Sequence, residues 1–367
     1  MRIVFTCGGT GGHITPALAI ADTVKENCPT AEILFVGADG GMETRLVPNA
    51  GYRIVTLRVS GLRRSLSPGN IKVLFRALHA TKEAEELLGS FCPDLVIGTG
   101  GYASFPTLFA ATKLGIPAAA HESNAVPGLA IRRLAKRLDR IWVNFAGTAE
   151  KLPGENCLAV GNPLPRGFGV ANPAPLPQGC IKMVLSFGGS LGARELNRAA
   201  LALMAAERDQ PEIFHLHATG KGEYEEWRRV FEERGLSESK NLELVPYLED
   251  MPCRMAAADV VICRAGAMSI SELAAAGKTA VLVPSPNVTG NHQYLNAKVL
   301  SDAGAAVLLP ERELPEKLTS TVFSLLSDSQ KRRVMGEKIR QFYRGESNRL
   351  IFSDMLLLMK KTKKRKK

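Results

Sequence analysis

The sequence predicts an α/β protein made of two doubly wound parallel-sheet domains. Three observations support this fold class. Short apolar runs of strand-forming residues alternate with stretches of helical periodicity, a segment rich in proline and glycine interrupts the alternation near the middle, and a glycine-rich motif recurs after the interruption. The chain of 367 residues is long enough for two domains of roughly 150 residues, each with its own core.

The first half contains five strand candidates, each followed by a segment in which apolar residues recur at helical spacing. They lie at residues 3–7, 33–37, 95–98, 118–121 and 141–144. This alternation is typical of parallel strands joined by crossover helices, and it predicts an N-terminal Rossmann-like domain over residues 1–162.

A break follows, because residues 161–180 hold five of the 21 prolines and four glycines. We place the interdomain linker at residues 163–180. The alternation resumes with strand candidates at residues 182–187, 213–217, 242–246, 260–263 and 279–283. They predict a C-terminal Rossmann-like domain over residues 181–345, and we expect residues 346–367 to form a helix that ends in a polybasic tail.

The composition argues against several classes of protein. Seven cysteines are scattered without a C-x-x-C pair, so we expect a reducing compartment and neither a disulfide framework nor a structural zinc site. We recognise no signal peptide, and no apolar stretch reaches the ~18 residues that cross a bilayer. The sequence contains no D-x-D, H-x-x-x-H or H-E-x-x-H motif, so we expect no metal site.

Most of the formal charge of +11 comes from the chain end. Residues 360–367 contain seven basic residues, and without them the charge is +4. Such a tail is either a solvated end or an element attracted to an anionic surface, at ~1 kcal/mol per basic residue near a membrane. We expect no nucleic-acid partner, because no recognised nucleic-acid motif accompanies the tail.

Two glycine-rich turns are the strongest sign of a binding site. CGGTGG at residues 7–12 and FGGSLG at residues 187–192 each follow a strand candidate and precede a helical segment. The unpaired amides and the helix dipole at such a turn can hold an anion. One turn alone could be only a tight connection, but the pair favours phosphate or sugar binding. Neither matches the dinucleotide or P-loop fingerprint, which disfavours a nicotinamide dehydrogenase or a kinase.

A third turn, CRAGAMSISE at residues 263–272, has the same form. Its amides would face an anion, and Glu272 could accept hydrogen bonds from a ribose diol or act only as a capping residue. Asn291, His292, Gln293 and Asn296 are either helix caps or amide donors to sugar hydroxyls.

His13 is the best candidate for a general base, because it ends the first glycine turn and imidazole titrates in the useful range. His121 and Glu122 follow a strand candidate and are the second choice. Without a metal, Arg166 or Arg194 would help to stabilise a leaving diphosphate.

Residues 61–78 mix apolar and basic side chains. They form either a helix with one solvated basic face or an interfacial patch that docks on anionic lipid. The patch consists of Leu62, Arg63, Arg64, Ile71, Lys72, Leu74, Phe75 and Arg76.

Seven motifs, in order from the first strand to Ala297, resemble the MurG family of N-acetylglucosaminyltransferases. They are GGTGGHITPALAIA (8–21), GGY (100–102), HESNAVPG (121–128), GNP (161–163), FGGSLGAR (187–194), CRAGAMSISELAAAG (263–277) and HQYLNA (292–297). The resemblance implies the GT-B fold, with two Rossmann-like domains facing a deep cleft. It implies that UDP-N-acetylglucosamine binds mainly to the C-terminal domain and the lipid acceptor to the N-terminal domain, without a cofactor.

The resemblance also implies roles for individual residues. It places three residues of the first turn at the reaction centre, namely Thr10, Gly11 and Gly12. It places Asn124 and Ser190 on the donor, Arg166 near its diphosphate, Glu272 on its ribose and Gln293 on its sugar. The residues around the uracil and the phosphates would be Leu248, Ala267, Met268, Ser269 and Ser271.

The expected activity is inverting, metal-independent transfer of N-acetylglucosamine from the nucleotide sugar to the 4-hydroxyl of the muramyl residue in lipid I. Lipid I is the undecaprenyl-pyrophosphoryl-linked muramyl-pentapeptide, and the product is lipid II of peptidoglycan synthesis. The expected location is peripheral, on the cytoplasmic side of the cell membrane. The alternative activities on this fold are a UDP-N-acetylglucosamine 2-epimerase and another glycolipid synthase.

Overall fold

The computed structural model describes residues 1–59, 69–189 and 192–365, with side chains for these residues except 69–77, 289 and 361–365. The chain forms two compact units. The first comprises Met1–Pro165 and Arg344–Lys367, and the second comprises Arg166–Tyr343.

The first unit is built on a seven-stranded parallel sheet in the order β3-β2-β1-β4-β5-β6-β7. Its strands are β1 Arg2–Thr6, β2 Glu32–Ala38, β3 Arg53–Leu57, β4 Leu95–Gly98, β5 Ala118–Glu122, β6 Arg140–Val143 and β7 Cys157–Ala159. The central strands are buried on both faces because crossover helices cover the sheet on each side. The helices of the main segment are α1 Gly11–Asn27, α2 Glu43–Asn49, α3 Gly69–Phe91, α4 Ser104–Lys113, α5 Leu129–Leu134 and α6 Ala146–Ala149.

The second unit repeats this plan with a six-stranded parallel sheet in the order β10-β9-β8-β11-β12-β13. Its strands are β8 Lys182–Phe187, β9 Ile213–Ala218, β10 Leu242–Val245, β11 Val260–Cys263, β12 Thr279–Leu282 and β13 Val307–Leu308. Its helices are α7 Arg194–Glu207, α8 Tyr224–Glu233, α9 Met251–Ala257, α10 Ala267–Ala276, α11 His292–Asp302, α12 Leu314–Ser327 and α13 Ser329–Arg340. The predicted fold class of two Rossmann-like parallel sheets is confirmed.

The final helix, α14 Ser347–Arg365, returns to the first unit and packs on α1. Its Asp354 carboxylate accepts hydrogen bonds from Arg140 Nε at 2.7 Å and from the indole Nε1 of Trp142 at 2.9 Å. Trp142 is fully buried, so the carboxylate satisfies a donor that has no access to water. The last described helix is thereby part of the first core.

The segment predicted as a linker has no helix or strand between residues 163 and 180. From Arg166 onward it packs on the second unit, where the amide of Ala174 donates to the Cys253 carbonyl at 3.0 Å. The chain therefore passes between the units at residues 165–166 and again at 343–344.

In both sheets the strand order reverses between two neighbours, β1 and β4 in the first and β8 and β11 in the second. Ligands of open parallel sheets bind beyond the carboxyl ends of the strands at this switch point. A ligand-binding site is therefore expected at the turns after these four strands. Of the helices in the described ranges, none has the length and apolarity required to cross a membrane.

Candidate functional site

The glycine turn after β1 is fixed by a buried carboxylate. Glu43 is fully buried at the start of α2, and its Oε2 accepts the amide of Gly9 at 3.0 Å while Oε1 accepts the amide of Ala38 at 2.8 Å. A Cβ on Gly8 would lie 2.0 Å from Oε1, so the carboxylate fits only because the turn lacks side chains. Sequence reasoning missed Glu43. The glycines around it, Gly37 and Gly41, were the available signal.

The turn after β4 lies directly against the first turn. A Cβ on Gly101, where φ is +95°, would lie 2.4 Å from the carbonyl oxygen of Gly8. A Cβ on Gly100, where φ is +112°, would lie 2.4 Å from Nδ1 of His13. Only glycine allows this approach, because other residues are strained at these φ values and their Cβ would overlap these atoms. The GGY motif thus brings the two turns of the switch point together.

His13 lies in the first turn of α1, half-buried, with its ring orientation fixed by β4. Its Nδ1 is 3.0 Å from the carbonyl oxygen of Thr99, and Thr99 Oγ1 donates to the His13 carbonyl at 2.6 Å. Because a carbonyl oxygen only accepts, Nδ1 carries the proton and the lone pair of the neutral ring is on Nε2. The arrangement presents Nε2 as a proton acceptor, which is the geometry that a general base requires. Thr10, Gly11 and Gly12 precede it in the same turn.

Glu122 ends β5 and is almost fully buried. Its Oε1 accepts the amide and the side-chain Nδ2 of Asn124 at 2.9 and 3.0 Å, and its Oε2 accepts the amide of Gly128 at 2.7 Å. Burial raises the pKa of this carboxyl above its usual range, and the three donors oppose that shift. Both oxygens are occupied by the following loop, so the geometry favours a positioning role for Glu122 over proton transfer.

The neighbouring His121 is also placed away from proton chemistry. Its side chain is fully buried, with Nε2 3.0 Å from the carbonyl oxygen of Gly161. Burial lowers its pKa to about 4, so the ring is neutral near neutral pH. Of the three candidate bases, only His13 has the geometry expected of one.

In the second unit, Gly192 lies between β8 and the start of α7. A Cβ on Gly192, where φ is +82°, would lie 2.3 Å from the carbonyl oxygen of Thr219 at the end of β9. Ser190 lies outside the described residues. Arg194 opens α7, and its guanidinium pairs with Glu226.

The turn after β11 leads into α10, which starts at Ala267 with Gly266 as its extended N-cap residue. The amides of the first helical turn have no acceptor within the helix, so they can bind an anion. These first-turn residues are Ala267, Met268 and Ser269, and Ser271 follows them.

Glu272 lies half-buried on α10, next to these amides. Burial raises its pKa to about 7, and no described hydrogen bond opposes the shift. This separates Glu272 from Glu43 and Glu122, whose oxygens are held by protein donors. A carboxylate of this kind gains most from a ligand that donates hydrogen bonds to it.

Two amide side chains connect the start of α11 to neighbouring turns. Gln293 Oε1 accepts the amide of Ser285, after β12, at 2.8 Å, which leaves the Nε2 group as the donor end of the side chain. Asn296 is buried, and its Nδ2 donates to the carbonyl of Ala265 at 3.4 Å. The residues of α10 and α11 that are predicted to bind the nucleotide sugar thus lie around the carboxyl ends of β11 and β12.

The remaining predicted residues lie outside these glycine-rich turns. Leu248 is buried in the loop after β10, and Arg166 is an exposed residue at the start of the second unit. Of the predicted membrane patch, Leu62, Arg63 and Arg64 lie outside the described residues. The other members are placed only as backbone positions in the first part of α3, namely Ile71, Lys72, Leu74, Phe75 and Arg76. In the part of the chain with described side chains, no group of three or more His, Cys, Asp or Glu could hold a metal ion.

Comparisons with known proteins show the family of this chain. Residues 3–143 match the glycosyltransferase family 28 N-terminal domain, and residues 183–348 match the glycosyltransferase family 28 C-terminal domain. The UDP-N-acetylglucosamine--N-acetylmuramyl-(pentapeptide) pyrophosphoryl-undecaprenol N-acetylglucosamine transferase of Limosilactobacillus fermentum is 37% identical over 343 residues, 91% of this chain and 92% of that protein.

Solved structures give the same picture. The crystal structure of Acinetobacter baumannii MurG has a TM-score of 0.75 and 28% identity, and covers 98% of this chain and 99% of its own. The UDP-GlcNAc 2-epimerase from Neisseria meningitidis, solved bound to UDP-GlcNAc, has a TM-score of 0.65 with 15% identity, covering 97% of this chain and 100% of its own. The second likeness shows the fold alone.

The contact between the two turns of the first unit predicts a large effect of Gly101→Ala. We expect a loss of about 3 kcal/mol in the free energy of unfolding of this unit, from backbone strain and overlap with the Gly8 carbonyl. The measurement is urea unfolding followed by Trp142 fluorescence in a Trp227→Phe background, since the chain has two tryptophans. Gly115→Ala is the matched control, because φ is +67° there but no atom lies within 4 Å, and about 1 kcal/mol is expected. Equal losses in both variants would contradict the analysis.

Proposed function

Because this chain belongs to the MurG family within glycosyltransferase family 28, we propose that it transfers N-acetylglucosamine from UDP-N-acetylglucosamine to the 4-hydroxyl of the muramyl residue in lipid I, giving lipid II. The observation that carries the proposal is the 37% identity to a transferase of this name over 91% of the chain. The anion-binding turns at the switch point of each sheet support it independently.

In this proposal the nucleotide sugar binds to the second unit. The amides at the starts of α7 and α10 receive the diphosphate, and Glu272 accepts hydrogen bonds from the two ribose hydroxyls. Gln293 donates its Nε2 group to the sugar, while Leu248 borders the uracil. Asn124, Ser190 and Arg166 complete the contacts to the donor.

The proposed mechanism is a single displacement at the anomeric carbon. The acceptor 4-hydroxyl oxygen forms the new bond as the bond to the UDP oxygen breaks, which inverts the configuration, and Nε2 of His13 takes the hydroxyl proton. The Thr99 carbonyl holds His13 in the required tautomer and stabilises the imidazolium that forms.

We propose that no metal ion is needed, because the charge that develops on the leaving UDP can be met by other groups. Helix N-termini and guanidinium groups such as that of Arg166 stabilise a diphosphate through fixed dipoles and positive charge.

We propose that the first unit binds lipid I and associates with the cytoplasmic face of the cell membrane. The apolar and basic residues of the predicted patch, together with the basic tail, supply two signals for an anionic bilayer.

The first test is UDP release from UDP-N-acetylglucosamine by the purified protein in chelator, with and without a soluble lipid I analogue. Release that depends on the acceptor is the expected result. Release without acceptor would indicate the epimerase or a hydrolase instead. Loss of release in chelator with recovery on adding magnesium would refute the metal-free mechanism.

His13→Ala should lower kcat by roughly a hundred- to ten-thousandfold with little change in the KM for the nucleotide sugar, because only proton transfer is lost. His79→Ala is the control, since His79 is exposed on α3 and pairs with Glu83 at 3.2 Å. Turnover at the wild-type rate in His13→Ala would rule out this base.

UDP affinity should fall about tenfold between pH 8 and pH 6, because the raised pKa of Glu272, about 7, protonates the carboxylate that accepts the ribose hydroxyls. Calorimetric titration of wild type and Glu272→Gln at both pH values is the measurement. The variant should bind more weakly at pH 8 and lose most of the pH dependence, while the titration of UDP itself is common to both proteins. An unchanged pH dependence in the variant would exclude Glu272 from the ribose site.

Reversing three charges of the patch, with Arg63→Glu, Lys72→Glu and Arg76→Glu, should weaken binding to phosphatidylglycerol vesicles by at least about a hundredfold, because the loss of each basic residue alone costs ~1 kcal/mol. Co-sedimentation against phosphatidylcholine vesicles measures this. The control reverses three exposed charges of the second unit, Arg229, Lys240 and Arg312. Equal vesicle binding by both triple variants would count against the patch.

A further inference from the structure

Five buried polar side chains form a hydrogen-bonded network in the second unit, the buried polar network, and none of them takes part in the proposed mechanism. All five are inaccessible to solvent: Ser186, Asn197, Glu207, His215 and His217. They come from β8, β9 and the two ends of α7. Burying polar groups costs free energy relative to apolar packing unless each group is hydrogen-bonded, so we expect a network of this size to have a function.

One end of the buried polar network is Asn197, near the start of α7. Asn197 Nδ2 donates to the carbonyl of Thr219 at 3.0 Å and to Glu223 Oε2 at 2.7 Å. The same Thr219 carbonyl is the atom on which Gly192 packs, with 2.3 Å to the position of a Cβ. Asn197 therefore holds the group that borders the glycine turn.

The contacts of the network can be followed from this end. Both acceptors of Asn197 fix its Nδ2 as the donor, so Oδ1 faces Nε2 of His217 at 3.1 Å. Burial lowers the pKa of His217 to about 3, so the ring is neutral, and its Nδ1 lies 2.6 Å from Ser186 Oγ and 3.1 Å from the Ser186 carbonyl oxygen.

The network continues to the far end. Ser186 Oγ lies 2.7 Å from Nε2 of His215, so one hydroxyl connects the two imidazole rings. His215 Nδ1 is hydrogen-bonded to Oε2 of Glu207, the last residue of α7.

We propose that Asn197 is a positioning residue for Gly192, just before α7, and that His217, Ser186 and the Glu207–His215 pair orient it. These contacts hold the Asn197 amide so that it donates to the Thr219 carbonyl, the atom on which Gly192 packs. The consequence for the reaction rests on the proposed function, in which the start of α7 receives the diphosphate of the donor.

Three variants separate this role from simple core packing. Asn197→Asp keeps an acceptor for His217 but cannot donate to Thr219. Ser186→Ala removes the hydroxyl at the centre of the buried polar network. Glu207→Gln is the conservative rescue, because glutamine keeps the shape of the side chain and can either donate to or accept from Nδ1 of His215. Thr279→Val is the control, since it removes another buried hydrogen bond of this unit, to the Arg332 carbonyl at 3.0 Å.

The first readout is hydrogen exchange of the Gly192 amide, which donates to the Gly189 carbonyl at 3.0 Å, in protein without ligand. We expect exchange about tenfold faster in Asn197→Asp and Ser186→Ala, and unchanged exchange in Glu207→Gln and Thr279→Val. Because no ligand is present, this readout tests the positioning role even if the proposed function is wrong. Wild-type exchange in Ser186→Ala, or equal acceleration in Thr279→Val, would overturn the inference.

The second readout compares binding of UDP and uridine by calorimetry. Asn197→Asp and Ser186→Ala should bind UDP about tenfold more weakly and uridine as wild type does, because in the proposed function only the diphosphate contacts the start of α7. Glu207→Gln should bind both as wild type does. Equal weakening for UDP and uridine would refute the link to the diphosphate, whereas a wild-type protein that binds no UDP would refute the proposed function and leave the exchange result to decide the positioning role.

Discussion

A close approach of two backbones shapes the site in the first unit, where a Cβ on Gly101 would lie 2.4 Å from the carbonyl oxygen of Gly8. It forces the turns after β1 and β4 to share one small volume, and the rest of the site in this unit is arranged around it. Glu43 ties the first turn to β2, and Thr99 ties His13 to β4. The ring of His13 is thus oriented by the backbone of a neighbouring strand, which is more rigid than a side-chain partner. In the second unit Gly192 makes a similarly close contact with Thr219, which follows β9 and not the switch-point neighbour β11.

The three glutamates near the glycine turns have different surroundings. Glu43 and Glu122 have both oxygens held by amide donors of adjacent turns, so these side chains fix the backbone of the turns. Glu272 is half-buried beside a helix N-terminus, and its raised pKa reflects burial alone. Residue type does not distinguish these cases, since all three are glutamates close to glycine turns. The number of donors around each carboxylate does distinguish them.

The sequence was sufficient for the central strands of both sheets and for the edge strand β10, but not for the other three edges. Strands β4 and β11 are apolar throughout because helices cover both faces, and β8 is buried from Met183 to Phe187 although it contains Ser186. The predicted limits of these three strands are those of the structure. Strands β3, β7 and β13 were missed, since edge strands are short or partly exposed and carry a mixed pattern. In the site, His13 and Glu122 were predicted from their motifs, and their roles stay predictions. Glu43 was not predicted, because its partners are backbone amides and its only trace in the sequence is the glycines around it, Gly37 and Gly41. The hydrogen bonds that distinguish His13 from Glu122 could not be predicted from residue identity.

The bond between Asp354 and the pair Arg140 and Trp142 joins residues 214 positions apart, in a unit whose other strands and helices all precede residue 165. At a synthesis rate of 5–20 residues per second, the ribosome makes α14 roughly ten to forty seconds after β6. During this interval the first unit exists with one face of its core uncovered and the indole of Trp142 without its acceptor. The nascent chain therefore completes its second unit before its first, and any chain cut short before α14 presents that apolar face to chaperones and proteases.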